Sequence, residues 1–168
     1  MVYMDKYEDG GTSMNNVRIN NEVNLTYPDG FAEMNEEALA KYFGSPANRW
    51  GVYDGENHVI LSVSWTKGGF FSFLTDAESM LIGVEGRMRR NLLNYQRISS
   101  YKTKIGKKKA YGIRFEYRVN TSKMVQVGDL VSFKHKKNYY AIHLITRKTN
   151  AAAPRVAFEE TLKSITVG

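Results

Sequence analysis

Tyr111-Gly112-Ile113-Arg114-Phe115-Glu116-Tyr117-Arg118-Val119 is the stretch that decides the fold. Every second residue is aromatic or branched, and the residues between are glycine or charged. Side chains alternate sides along a strand, so strict period two marks a strand with one face toward a core. Val125 and Val127 continue the pattern to Gly128-Asp129, where a bulge or bend is expected. Residues 130–134 and 139–146 are two further apolar-rich runs, joined by the basic turn Lys136-Lys137-Asn138. From 95 to 147 the chain therefore reads as an antiparallel meander.

Upstream of the meander lies a helix. Thr75-Asp76-Ala77-Glu78 fits a capping box, with the Thr hydroxyl taking one free N–H and Glu78 returning to another. Ala77, Met80, Leu81, Val84 and Met88 then repeat at helical spacing, a stripe that must pack on strands. Arg87, Arg89 and Arg90 suit the negative end of the helix dipole. Gly83 and Gly86 cost helix stability, and close packing of a neighbour is the expected compensation. Further upstream, residues 49–53 and 58–66 read as a hairpin turning at Asp54-Gly55. A short helix before it is capped by Asn35, carries Glu36 and Glu37 in its first turn and Leu39 and Phe43 on its apolar side, and stops at Gly44. Val17 with Ile19, and Val23 with Leu25 and Tyr27, mark strands that end at the turn Pro28-Asp29-Gly30. Downstream, residues 154–165 form a last helix with Pro154 in its first turn and Phe158, Leu162 and Ile165 as its stripe. Residues 1–16 carry no periodicity and are expected to be a flexible tail, with 17–168 a single domain.

This order of elements gives an α+β class, a central, mostly antiparallel β-sheet flanked by helices. A chain of 168 residues, 42% hydrophobic and 24% charged, has enough apolar material for one core. It has no cysteine, which excludes disulfides and thiolate metal sites. No apolar run is long enough for a membrane-spanning helix, and the first residues do not read as a signal peptide. The sequence as written implies a cytoplasmic protein; an extracytoplasmic one stays open for a chain trimmed of a leader.

Two segments carry a more specific resemblance. Val23-Asn24-Leu25-Thr26-Tyr27-Pro28-Asp29-Gly30-Phe31 resembles the opening strand and turn of the Mog1/PsbP-like superfamily, which includes the bacterial PsbP-like and DcrB-like domains. Ala157-Phe158-Glu159-Glu160-Thr161-Leu162-Lys163-Ser164-Ile165 resembles its closing helix. The resemblance spans about residues 17–167 and implies an α/β sandwich. It also implies a binding or accessory protein of adaptor or chaperone type, because the superfamily shares no catalytic motif.

Nothing in the sequence marks an enzyme. There is no Gly-x-Ser-x-Gly elbow, no cysteine nucleophile and no phosphate loop at Gly68-Gly69. Neither a catalytic nor a cofactor-binding residue is assigned, and no cofactor is expected. Asp54-Gly55-Glu56-Asn57-His58 resembles the start of a calcium loop but lacks the later Glu, so a hairpin turn accounts for it. Of His58, His135 and His143, the last two fall on adjacent strands. A metal pair there lacks carboxylates, so satisfied or solvated histidines are expected.

Charge is the one uneven feature. Residues 85–150 hold seventeen Lys and Arg against three acids (Glu85, Glu116, Asp129), while the rest of the chain is net acidic. Lys107, Lys108 and Lys109 flank one turn of the meander, and Lys134, Lys136 and Lys137 flank another. Alternate turns of a meander lie at one end, so these lysines, with Arg87 and Arg90, are the expected partner-binding basic surface. The leading expectation is a protein partner. The alternative is an anionic polymer or surface, either nucleic acid or acidic lipid, with interleaved tyrosines available for stacking.

Overall fold

The structure, a computed structural model, describes residues 13–70, 72–119 and 123–168. Residues 1–12 of the expected tail lie outside these. Strand β1 (Met14–Ile19) begins three residues before Val17, because Met14, Asn15 and Asn16 pair with Pro28, Tyr27 and Thr26 of β2 (Val23–Pro28). The hairpin between them turns through Asn20 and Asn21, both at positive φ, a conformation asparagine tolerates better than most residues. Gly30 (φ 92°) completes the expected turn after β2 and leads to the short β3 (Ala32–Glu33).

Helix α1 (Glu36–Phe43) starts where the sequence places it: the Asn35 side chain accepts from the Ala38 N–H at 2.9 Å. Gly44 stops it at φ 82°, donating its N–H to the Ala40 carbonyl. Strands β4 (Arg49–Asp54) and β5 (Val59–Lys67) form the expected hairpin, but not through a two-residue turn. Four residues separate them, held by the Asp54 carboxylate. It accepts from the Glu56 and Asn57 N–H groups, each at 3.1 Å, and from the Asn57 amide at 2.7 Å.

A 3₁₀ turn (Ser72–Leu74) precedes α2 (Ala77–Asn91). Its cap is Asp76, one residue later than expected, accepting from the Ser79 N–H at 2.9 Å. Thr75 faces the sheet instead, and its carbonyl accepts from the Tyr139 hydroxyl at 2.7 Å. The meander follows as β6 (Leu93–Ile105), β7 (Lys108–Arg118), β8 (Val125–His135) and β9 (Asn138–Arg147). No bulge occurs at Gly128-Asp129. The β7–β8 register runs unbroken because Gly128 leaves room for the Phe115 ring, which a Cβ there would approach to 2.2 Å. The irregularities fall in β6, between Leu93 and Gln96 and between Arg97 and Ser99. Helix α3 (Ala152–Ser164) starts two residues before Pro154, and β10 (Thr166–Val167) ends the chain's described part.

The strands divide into two antiparallel sheets rather than one. The large sheet has the order β3-β4-β5-β9-β8-β7-β6, and the small one β1-β2-β10. Val63, Val131, Phe133, Tyr140 and Ile142 on one face of the large sheet pack against Ile19, Val23 and Leu25 of the small sheet and Phe158 and Ile165 around α3. On the other face Ile113, Phe115 and Leu130 pack against Leu81, Val84 and Met88 of α2. Helix α1 lies on that second face too, where Leu39 and Met34 close over Gly51. The result is an α/β sandwich. No helix among the described residues is long and apolar enough to cross a membrane.

Two buried ion clusters tie the layers. Asp129 bonds Arg114 Nε at 2.8 Å and lies 3.4 Å from Arg155 Nε, joining β8 to β7 and α3. Glu85, 4% exposed on the apolar side of α2, accepts from the Tyr95 hydroxyl and from Arg97 Nε, both at 2.7 Å, and makes a second bond to Arg97. The arginine hydrogen bond first, then that of Tyr95, pulls the Glu85 carboxyl down to about 2. Gly83 and Gly86, by contrast, are not closely packed by any described element of this chain. Nothing lies within 4 Å of a Cβ at Gly83, and only the Arg90 guanidinium, at 3.8 Å, lies near Gly86.

Candidate functional site

Antiparallel order puts the β6–β7 and β8–β9 turns at the same end of the large sheet. The first turn is Gly106-Lys107, with Gly106 at φ 58°; the second is Lys136-Lys137, with Lys136 at φ 54°. Lys107, Lys136 and Lys137 are exposed at the tips. Lys108 lies level with His135 across the β7–β8 ladder, one step beyond the Lys109–Lys134 rung that the register implies. Lys109 also faces Lys104 of β6. The structure therefore brings together six of the eight expected residues.

Arg87 and Arg90 are the two it does not. Helix α2 begins beside this end, where Lys134 Nζ donates to the Thr75 carbonyl at 3.3 Å. Arg87 and Arg90 follow eleven and fourteen residues after the Asp76 cap, roughly 16 and 21 Å further along the axis at the helical rise. They flank the opposite end, where Leu93 pairs with Arg118. Lys134 differs from the tip lysines as well. It is half-buried, bonds Thr75 and sits 5.1 Å over the Tyr139 ring, so it braces the start of α2.

Sequence reading missed three parts of this end. Lys67, the last residue of β5, pairs with Asn138 and adds a cation. Glu22, from the β1–β2 turn, accepts from the Tyr140 hydroxyl and, at 2.9 Å, from the Asn138 amide. The Tyr140 bond most of all keeps its carboxyl below the usual range, with the Asn138 bond next and the Lys136 charge contributing. The third part is the loop 68–75, which is fixed at both feet to the β8–β9 hairpin. The Gly68 N–H donates to the Lys137 carbonyl at 2.6 Å, and the Thr75 carbonyl takes the Tyr139 and Lys134 bonds. Between those feet Phe70, Phe73 and Leu74 are 88%, 73% and 73% exposed. A local signal existed in the apolar residues after Gly68-Gly69, but their exposure depends on pairings distant in sequence.

The histidines do not make a site. His135 shares the face of Phe133 and Tyr140, whereas His143 pairs with Leu130 on the other face, its ring 5.7 Å from Phe115. His135 is buried and His143 half-buried, and Nε2 of each and Nδ1 of His135 have no hydrogen-bond partner among the described residues. Burial holds His143 down to about 3 and lowers His135, with the Lys108 charge as its second cause. Both rings are neutral near pH 7. Among the described residues no group of three or more His, Asp or Glu is placed to hold a metal ion.

The architecture is that of the Mog1/PsbP-like fold. Three of the solved structures that share it illustrate the likeness. The Ran-binding protein Mog1p of Saccharomyces cerevisiae aligns at a TM-score of 0.62 and 9% identity, over 94% of this chain and 96% of that one. The cyanobacterial PsbP protein CyanoP of Synechocystis aligns at 0.67 and 12%, over 96% of both chains. LpqN of Mycobacterium tuberculosis, described as involved in cell envelope biogenesis, aligns at 0.60 and 15%, over 97% and 95%. No protein-family model matches the sequence, and no curated protein does. At these identities the likeness establishes the fold alone.

Proposed function

We propose that the chain is a non-enzymatic binding module that serves as an accessory or adaptor to another protein, with the basic end of the large sheet as its working surface. The observation that carries this reading is the convergence of Lys67, Lys107, Lys108, Lys136 and Lys137 from three strand connections onto one end. Lysines on tight turns of a rigid sheet hold a fixed positive field, which steers an acidic partner and sets its orientation. The shared fold supports the reading: Mog1p is a Ran-binding protein, and a protein partner is the natural counterpart here.

The test is site-specific photo-crosslinking in the full chain, inside cells that make it. A crosslinker at Lys136 is expected to give a discrete protein adduct that one at Val156, on α3 at the far end, does not. Equal adducts from both positions, or none from Lys136, would overturn the assignment. A second reading, attraction to an anionic surface, is favoured by one observation: the lysines flank a loop that carries exposed apolar side chains.

A further inference from the structure

We propose that the loop 68–75 and the lysine turns beside it form a dock for an anionic lipid bilayer. The aromatic and leucine side chains enter the interface and the lysines meet the headgroups. This deepens the reading of the basic end as the working surface and rests on it.

Four observations carry the inference. First, Phe70, Phe73 and Leu74 are three large apolar side chains within five residues, each more than 70% exposed. Second, the loop is not a loose excursion. Its entry at Gly68 is bonded to Lys137 and its exit at Thr75 to Tyr139 and Lys134, so both of its ends are held by the sheet. Third, those anchors are the lysine turns themselves. Lys67 enters the loop, and Lys136 and Lys137 stand at its foot. Fourth, three side chains expose roughly 450 Å², taking about 200 Å² for each fully exposed ring. That is an apolar tip large enough to seat three side chains at the acyl boundary.

An apolar protrusion ringed by long cationic side chains suits a bilayer. Rings sit at the acyl boundary, while lysines keep their stems low and their ammonium groups at the phosphates. The anionic leaflet supplies the complementary charge.

The probe is sedimentation of the full chain with vesicles of one part phosphatidylglycerol to two parts phosphatidylcholine, against phosphatidylcholine alone. Wild type is expected to bind the anionic vesicles and to lose binding as salt rises. The variant Phe70→Ser/Phe73→Ser/Leu74→Ser is expected to lose binding on the order of 100-fold with an unchanged urea midpoint, because its changes touch exposed positions. Lys107→Gln/Lys136→Gln/Lys137→Gln is expected to lose about fivefold per lysine. A Phe70→Trp chain is expected to shift its emission to the blue on the anionic vesicles and to be quenched by brominated acyl chains.

Binding by the triple-serine variant equal to wild type, or no shift of the Phe70→Trp emission, overturns insertion and leaves the basic end intact. So does a Lys136 protein adduct formed by a chain that ignores vesicles, since a protein then covers the loop. Vesicle binding indifferent to the lysine substitutions, together with crosslinking from position 136 that Lys107→Gln/Lys137→Gln leaves unchanged, removes the reading beneath it as well.

Discussion

Replacing Glu85 by Gln measures how firmly α2 is fixed to the large sheet. The carboxylate holds two bonds from Arg97 and one from Tyr95, with Arg89 3.6 Å away. Its fall from an ordinary 4.5 to about 2 corresponds to at most about 3 kcal/mol. The arginines stand partly in solvent, their side chains 39% and 53% exposed, so screening cuts this to about 1–2 kcal/mol. Because folding depresses the acid's pKa, the contribution is complete above pH 4.5 and is lost as pH falls toward 2. Glu85→Gln keeps the shape and one acceptor but not the charge. Urea unfolding of both chains at low salt, at steps from pH 7 to pH 2, is expected to show the variant about 1–2 kcal/mol less stable at pH 7. The two should converge at pH 2. A gap that is constant across this range, or no gap at pH 7, would refute the reasoning.

Gly83→Ala is expected to stabilise the chain by about 1 kcal/mol in urea, since the site is open and α2 currently bears a glycine in its interior. Gly128→Ala should cost about 2 kcal/mol or more, because the Phe115 ring occupies the space of the new methyl and β-ladders confine both residues. His143 is held neutral by burial, so its share of stability is present above pH 6.5 and is lost as pH falls toward 3. His143→Gln should flatten the stability profile in that window, and NMR of the wild-type ring should show no protonation down to pH 4.

Local chemistry made much of the fold legible. Asn35 and Gly44 bound α1 because a cap and a left-handed stop act within a few residues of themselves. The alternation from Tyr111 to Tyr117 identified β7 and, with its neighbours, the meander. Features set by distant pairing were not legible. The separation of β1, β2 and β10 into their own sheet depends on the C-terminal strand returning to Val23 and Asn24. Thr75 looked like the cap of α2 until Tyr139 and Lys134 claimed its carbonyl and left Asp76 to the helix. The burial of Glu85 was half visible, since Ala77, Leu81 and Glu85 follow at four-residue spacing, but its partners lie on another element. The same distinction governs the site. The lysine turns share one end because a meander fixes it, whereas the direction of α2 across the sheet, which carries Arg87 and Arg90 to the other end, leaves no local trace.

Hydrogen exchange of the full chain, free and bound to its crosslinked partner or to anionic vesicles, tests the working surface most directly. Slowed exchange should be confined to residues 67–75, 105–109 and 134–138, with 146–157 at the far end unchanged. Protection centred on the far end, or spread evenly over the large sheet, would contradict the assignment.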